Sequence, residues 1–123
     1  GVGILADQTN RLPLDKPEPE PEACVDIIIP VYNAIDELET CLASIRRWPS
    51  TSMGKIILVD DCSSEETAAW LAGYRDRHGD VHLVRNAENL GFTRAVTAGV
   101  RESCAPFMMF LNSDTQVTAH WLE

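Results

Sequence analysis

The stretch VDIIIPVYNAIDELETCLASI, residues 25–45, contains two different periodicities and decides the fold class. Val25–Pro30 is a mostly apolar run rich in β-branched residues, which is typical of a buried strand. Asn33 follows as a candidate helix cap. Beyond it, apolar residues recur at the spacing of one helix face, at Ile35, Leu38, Leu42 and Ile45. The stretch predicts a buried strand followed by a helix that packs on it.

The same alternation of strand and helix continues along the chain. Further strands are predicted at Lys55–Asp60, Val81–Arg85 and Phe107–Leu111. Helices are predicted from a capping box at Ser63 and Glu66 toward Tyr74, from Gly91 to about Ser103, and within Val117–Glu123. This alternation with short connections predicts an α/β fold with a mostly parallel sheet and helices on both faces.

Polar residues follow three of the predicted strands at their carboxyl ends. They are the segment Pro30–Asn33, the pair Asp60 and Asp61, and the segment Asn112–Asp114. In open α/β sheets, ligands bind at the carboxyl ends of the strands, where the strand order reverses. We expect these three segments to line one crevice.

Several familiar α/β sites do not match this crevice. The sequence after the first strand, PVYNAID, lacks the glycines of a dinucleotide-binding turn, and no P-loop motif occurs in the chain. A receiver domain would place its acidic pair after the first strand and a lysine after a later one. Here the pair follows the second strand, and no lysine follows Lys55.

Composition limits the partners. The chain has 123 residues and a formal net charge of −9, which disfavours a nucleic-acid partner and anionic lipid. Its four cysteines show no C-x-x-C spacing, which indicates a reducing, cytoplasmic setting rather than a zinc site. No apolar run approaches the roughly 18 residues of a membrane span.

Residues 1–24 differ from the rest of the chain. Pro13–Glu22 reads PLDKPEPEPE and alternates proline with acidic residues, a composition that favours an extended, solvated segment. We expect a linker or tail over residues 1–24 and a domain over residues 25–123.

Four stretches together resemble family 2 glycosyltransferases with the GT-A fold. They are VDIIIPVYNAIDELETCLASI, IILVDDCSSEET, NLGFTRAVTAG and FMMFLNSDT. The resemblance implies a doubly wound, Rossmann-like sandwich, of which this chain is the donor-binding half. It also implies a parent enzyme that transfers a sugar from a nucleotide-diphosphate sugar to an acceptor hydroxyl, with inversion. The acceptor remains open among glycan, lipid and protein, and the LNSDT stretch resembles versions in polysaccharide biosynthesis.

The resemblance also assigns roles to individual residues. Pro30, Val31 and Tyr32 would form the wall for the base, and Asp60 or Asp61 would accept a hydrogen bond from a ring N–H. The alternative for both aspartates is turn formation and capping of the next helix.

In the third motif, the resemblance places Gly91 and Arg94 at the nucleotide. Arg94 offers a positive fork for phosphate or carbonyl oxygens, and its alternative is a solvated position on a helix face. Thr97 stands where family members often have Asn.

In the fourth motif, the resemblance places Asn112, Ser113 and Asp114 where the family has its D-x-D motif. Asn112 would contact the ribose, Ser113 would act as a spacer, and Asp114 would bind Mg²⁺ or Mn²⁺ together with diphosphate oxygens. The alternative for Asp114 is an Asx turn at the end of a strand.

An inverting transferase also needs a general base, which the family places downstream of the D-x-D position. Nine residues follow Asp114, and among them only Glu123 is acidic. We therefore expect a piece of a longer enzyme that binds donor weakly, does not turn over, and self-associates through exposed sheet edges. The competing hypothesis is a non-catalytic nucleotide-binding or scaffold module of the same fold.

Overall fold

The structure is a computed structural model that describes residues 2–5 and 25–122, the first of these ranges as backbone only. Within these ranges the chain forms five strands and three helices. In chain order they are β1 Val2–Leu5, β2 Val25–Val31, α1 Ile35–Arg47, β3 Met53–Asp60, α2 Glu65–Arg77, β4 Val81–Arg85, α3 Gly91–Glu102 and β5 Phe107–Leu111.

The strands form one sheet in the order β1-β5-β2-β3-β4. Strands β2, β3, β4 and β5 are mutually parallel, as predicted, whereas β1 pairs antiparallel with β5. From β2 the chain adds β3 and β4 on one side and then returns to add β5 on the other. The strand order therefore reverses between β2 and β5, and this is where a ligand crevice is expected.

Helices cover both faces of the sheet, which confirms the predicted layers. Side chains of β2 alternate between the faces because successive residues of a strand point in opposite directions. Ile27 and Ile29 pack in the larger core cluster with α1 and α2, whereas Ile28 packs in the smaller cluster with Ala95 of α3. This alternation within one apolar run is why the run reads as fully buried.

The α1 helix begins without the predicted side-chain cap. Its cap position is Ala34, in the left-handed region at φ 60°, and no side chain caps the helix. Asn33 is also left-handed, and its Oδ1 accepts a hydrogen bond from the Ser64 N–H at 2.9 Å. The prediction that Asn33 caps α1 is wrong because its side chain is used to join two loops.

The α2 helix is capped one residue later than predicted. Ser64 is the cap residue, and its hydroxyl accepts from the Thr67 N–H at 3.3 Å. The hydroxyl of Ser63 instead accepts from the Asn33 N–H at 2.8 Å. The predicted Ser63–Glu66 capping box is therefore wrong by one position.

The helix predicted within Val117–Glu123 is absent up to Leu122, where the structure has turns. The segment packs on the end of α1 instead. The Val117 N–H donates to Ser44 Oγ at 3.0 Å, and Trp121 Nε1 donates to the Trp48 carbonyl at 2.8 Å.

The N-terminal segment contributes to the sheet where a linker was expected. Val2–Leu5 pair in register with Met108–Leu111, so the expectation for residues 1–24 does not hold at these four positions. The Pro13–Glu22 stretch lies outside the described residues. No helix of the described ranges has the length and apolar character needed to cross a bilayer.

Candidate functional site

A cavity of about 470 Å³ lies at the carboxyl ends of β2 and β5, beside the start of α3. The three polar strand ends meet there, as the predicted topology requires. Eight of the sequence-predicted site residues line it: Pro30, Val31, Tyr32, Asp61, Gly91, Asn112, Ser113 and Asp114. Asp60 and Arg94 do not line it. The structure therefore brings eight of the ten predicted residues together, and their roles toward a ligand remain predictions.

The cavity has a strand floor and a helix roof. By strand alternation, Pro30 lies on the same face of the sheet as Ile28, which is the face covered by α3. Ala95 of α3 is fully buried on that face and also lines the cavity. Phe92, one helical turn earlier, lines it as well.

Asp61 borders the cavity from the end of β3 and anchors the start of α3. Its Oδ1 accepts from Asn86 Nδ2 and the Leu90 N–H, and its Oδ2 accepts from the Gly91 N–H, all at 2.9 Å. Burial alone would raise the pKa of Asp61, but these three hydrogen bonds outweigh it and hold the pKa below its ordinary value. Asp61 is therefore a carboxylate with accepting capacity left on Oδ2.

The Asp60 carboxylate is occupied by protein partners outside the cavity lining. It is buried, its Oδ1 accepts from the Ser63 N–H at 2.9 Å, and its Oδ2 pairs with the Arg85 guanidinium. Arg85 also donates to the Ser63 carbonyl at 3.2 Å. Of the two aspartates, only Asp61 borders the cavity, and Asp60 fits the structural alternative of holding the turn before α2.

Arg94 lies exposed on α3 and away from the cavity lining. The described lining contains Glu37, Asp61 and Asp114 but no lysine or arginine. This arrangement agrees with the solvated alternative for Arg94. An anionic ligand would therefore need backbone N–H groups or a bridging cation.

The Asn112–Asp114 segment forms a turn directly after β5. The Thr115 N–H donates to the Asn112 carbonyl at 3.0 Å, and the Asp114 side chain is exposed toward the cavity. Asp114 also lies near Cys41 of α1. Burial, with a further contribution from the Asp114 carboxylate, raises the pKa of the Cys41 thiol to about 11.

At this end of the cavity, a divalent cation would need oxygen atoms of a bound phosphate and of water to complete its coordination. Within residues 2–5 and 25–122, no group of three or more His, Cys, Asp or Glu side chains is placed to hold an ion. Asp114 offers one hard oxygen donor, and Asn112 offers an amide oxygen. Mg²⁺ keeps several waters and is often bound by one or two carboxylates plus substrate phosphates, which matches such a sparse set.

Sequence reasoning missed five residues that line the cavity: Ala34, Glu37, Asn89, Phe92 and Ala95. Glu37 lies in the first turn of α1, and Phe92 in the first turn of α3. Helices that follow parallel strands begin at the carboxyl edge of the sheet, so the first turn of each predicted helix was a signal for them.

The fold and the acidic crevice define a doubly wound α/β domain with a ligand site at its switch point. Residues 26–123 match the protein family described as Glycosyl transferase family 2. The match spans most of the chain, and the chain belongs to this family.

Curated relatives agree with this assignment. The chain is 36% identical to an N-acetylglucosaminyltransferase of Mesorhizobium japonicum over 82% of its own length and 24% of the relative's. It is 30% identical to the mouse polypeptide N-acetylgalactosaminyltransferase 18, over 98% of the chain and 23% of that protein. The chain therefore spans about a quarter of the length of these relatives.

Solved structures share the fold. A mannosyltransferase from Pyrobaculum calidifontis, in complex with GDP-Man and Mn²⁺, aligns with a TM-score of 0.68 at 23% identity, over 77% of this chain and 28% of that one. S. aureus TarS 1-349 in complex with UDP-GlcNAc aligns with a TM-score of 0.63 at 23% identity, over 74% of this chain and 26% of that one. The predicted GT-A fold is confirmed.

Proposed function

We propose that this chain holds the nucleoside diphosphate part of a sugar donor, and that the whole protein transfers the sugar to an acceptor hydroxyl. One observation carries the proposal: two carboxylates border the same cavity from different strand ends. Asp61 stands at the end of β3 and Asp114 beyond the end of β5. The two relatives and the Pyrobaculum structure named above are glycosyltransferases by name, and the TarS structure holds the nucleotide sugar UDP-GlcNAc.

Asp61 serves the base in this proposal. An ionised carboxylate only accepts hydrogen bonds, so it selects a ring edge that presents an N–H. Its three protein donors fix its orientation and keep it ionised. A preorganised acceptor of this kind binds without reorganisation of its own side chain.

Asp114 serves the diphosphate in this proposal. Together with the Asn112 amide it would hold Mg²⁺ or Mn²⁺, while the exposed position of Asp114 leaves room for phosphate oxygens and water around the ion. The bound cation supplies charge neutralisation for a diphosphate in a cavity whose described lining is acidic. The three free cysteines of the described residues agree with a cytoplasmic location, which we include in the proposal.

The test is calorimetric titration of the chain with UDP, dTDP and GDP, each with and without Mn²⁺. We expect binding of one nucleotide that depends on Mn²⁺ and is lost in Asp114→Asn. Asp76→Asn, which removes an exposed carboxylate of α2 far from the cavity, is the matched control and should bind as the wild type does. Binding that is indifferent to both Mn²⁺ and Asp114 would contradict the metal role.

A second candidate is a nucleotide-binding module without catalysis. Asn112, an amide where the family resemblance expects a carboxylate, favours it. Asp114→Asn in the whole protein separates the two. If the protein is a transferase, the variant loses metal-dependent activity by orders of magnitude. If it is a scaffold, the variant still binds its partner.

A further inference from the structure

Among residues 25–122, large apolar side chains are rarely exposed, and two of the exceptions share one cavity. In the described residues, the exposed ones are Tyr32 at 55%, Phe92 at 56% and Phe107 at 39%. Tyr32 and Phe92 both line the cavity at the switch point, whereas Phe107 lies at the amino end of β5. Exposed aromatic surface concentrated at a cavity marks a place where a ligand buries it.

The two rings reach the cavity from different elements. Tyr32 directly follows β2, beyond Pro30. Phe92 and Ala95 are three residues apart on α3 and so lie on the same side of the helix. Ala95 packs in the cluster that contains Ile28 of β2, so Phe92 lies over the continuation of that strand. Because Ala95 carries only a methyl group, space remains between the helix and the strand end.

Asp61 fixes the position of Phe92 relative to the strand end. Its carboxylate accepts from the Leu90 and Gly91 N–H groups, which immediately precede Phe92. Gly91 has φ 85°, a conformation that favours glycine, and it begins the helix that presents the ring. The position of the Phe92 ring therefore depends on the Asp61 carboxylate, and both residues line the same cavity.

We propose that Phe92 forms the second wall of a slot in which the nucleobase lies between Phe92 and Tyr32, with its N–H edge toward Asp61. This inference rests on the proposed function and names the class of base. Two aromatic walls accept any flat ring, because every base has a π-face. The carboxylate restricts the choice to rings with an N–H at that edge, such as uracil, thymine and guanine, and disfavours cytosine and adenine, which present an acceptor nitrogen there.

The test compares Phe92→Ala and Phe92→Leu with the control Phe107→Leu. Titration with UDP, dTDP and GDP in Mg²⁺ identifies the nucleotide that binds best, and its dissociation constant is then measured for each variant. We expect Phe92→Ala to raise this constant roughly tenfold, as base–aromatic stacking predicts, and Phe92→Leu to raise it less. Phe107→Leu should leave it unchanged.

Two further readouts separate stacking from general damage to the site. Proton NMR of the bound nucleotide should show upfield ring-current shifts of the base protons that diminish in both Phe92 variants. Inorganic pyrophosphate with Mg²⁺ carries no base, so its affinity should be the same in wild type and Phe92→Ala. Because Phe92 is more than half exposed, its truncation leaves the core intact.

The outcomes are distinguishable. Unchanged nucleotide affinity in Phe92→Ala would overturn the slot and leave the proposed function standing. Equal loss of nucleotide and pyrophosphate affinity would also overturn it, since the ring would then act through the shape of the site. Failure of all three nucleotides to bind the wild type would overturn both the slot and the proposed function.

Discussion

Asp60 and Asp61 are adjacent and chemically identical, yet the fold gives them different partners. Neighbouring residues at a strand end point in opposite directions. Asp60 therefore reaches Arg85, whereas Asp61 reaches the start of α3. Only Asp61 borders the cavity. The sequence predicted that both aspartates lie at the crevice and that one of them accepts a hydrogen bond from the base. It left the choice open because the partners come from β4 and from the loop after it, which local pattern does not place.

Replacement of Asp61 by Asn should make the free energy of unfolding less dependent on pH in the acidic range. The folded-state pKa of Asp61 lies below its unfolded value of about 3.9, so its contribution is full above that pH and is lost as pH falls through the folded value. We expect Asp61→Asn to lower the free energy of unfolding by about 2 kcal/mol near neutral pH, with the gap to wild type narrowing in acid. Urea unfolding at several pH values between about 3 and 7 measures this gap. A gap that stays constant would contradict the linkage.

Gly99 is a second residue whose importance only the packing reveals. A Cβ added there would lie 2.6 Å from Ile28 Cγ2 and 2.9 Å from Val59 Cγ2. Both neighbours are buried and β-branched, so they cannot rotate away easily. The absence of a side chain lets α3 approach the sheet.

Gly99→Ala should therefore destabilise the protein despite the better helix propensity of alanine. Overpacking costs about 1–3 kcal/mol, against a gain of about 1 kcal/mol from propensity. Gly73→Ala in α2 is the matched control, because its nearest contact would be the flexible end of Arg77 at 3.3 Å. Thermal unfolding should show a lower midpoint for Gly99→Ala and an equal or higher one for Gly73→Ala. The reverse order would exclude close helix–sheet packing at Gly99.

At the scale of elements, the loop after β2 and the loop after β3 are joined by hydrogen bonds. The Asn33 N–H donates to Ser63 Oγ, and the Ser64 N–H donates to Asn33 Oδ1. The strand and helix periods could be read from the sequence, since they depend on residues close together in the chain. The start of α3 at Gly91 was predicted correctly. The caps of α1 and α2 could not be read, because the side chains of Asn33 and Ser63 bond across a separation of about thirty residues rather than within their own helix.

Ser63→Ala should loosen this junction. It leaves the Asn33 N–H, in a backbone held at φ 57°, without its acceptor, which costs about 1–3 kcal/mol. We expect faster hydrogen exchange of the Asn33 amide and weaker nucleotide binding, because the loop carries Tyr32 to the cavity. Ser63→Thr keeps the hydroxyl and should restore both. Thr40→Ala, which removes an exposed hydroxyl bonded within α1, should change neither.

At the scale of the whole molecule, the parallel topology alone brings the crevice together. Residues near positions 31, 61 and 113 meet because β2, β3 and β5 run in the same direction and end at the same edge. Apolar runs that each end in polar residues predicted this meeting. They did not predict β1, because Val2–Leu5 is a short run whose partner, β5, lies about a hundred residues away in the chain.

Cys41 provides a probe of this global structure. It is fully buried in the larger core cluster, and burial, followed by the Asp114 carboxylate, raises its pKa to about 11. The thiolate is the reactive form, so Cys41 should resist alkylation near pH 8 until the core opens. Cys104 is exposed and should react in the folded protein.

Site-resolved mass spectrometry after iodoacetamide treatment in rising urea tests this expectation. Cys41 should become labelled at the urea concentrations at which the helical circular dichroism is lost. Cys104 should already be labelled at lower urea concentrations. A nucleotide that binds the folded state in Mg²⁺ should move the Cys41 midpoint to higher urea, because ligand binding stabilises only the state that forms the cavity. If Cys41 reacted without denaturant as fast as Cys104, the core between α1 and the sheet would open locally. Stability would then not be shared across the molecule.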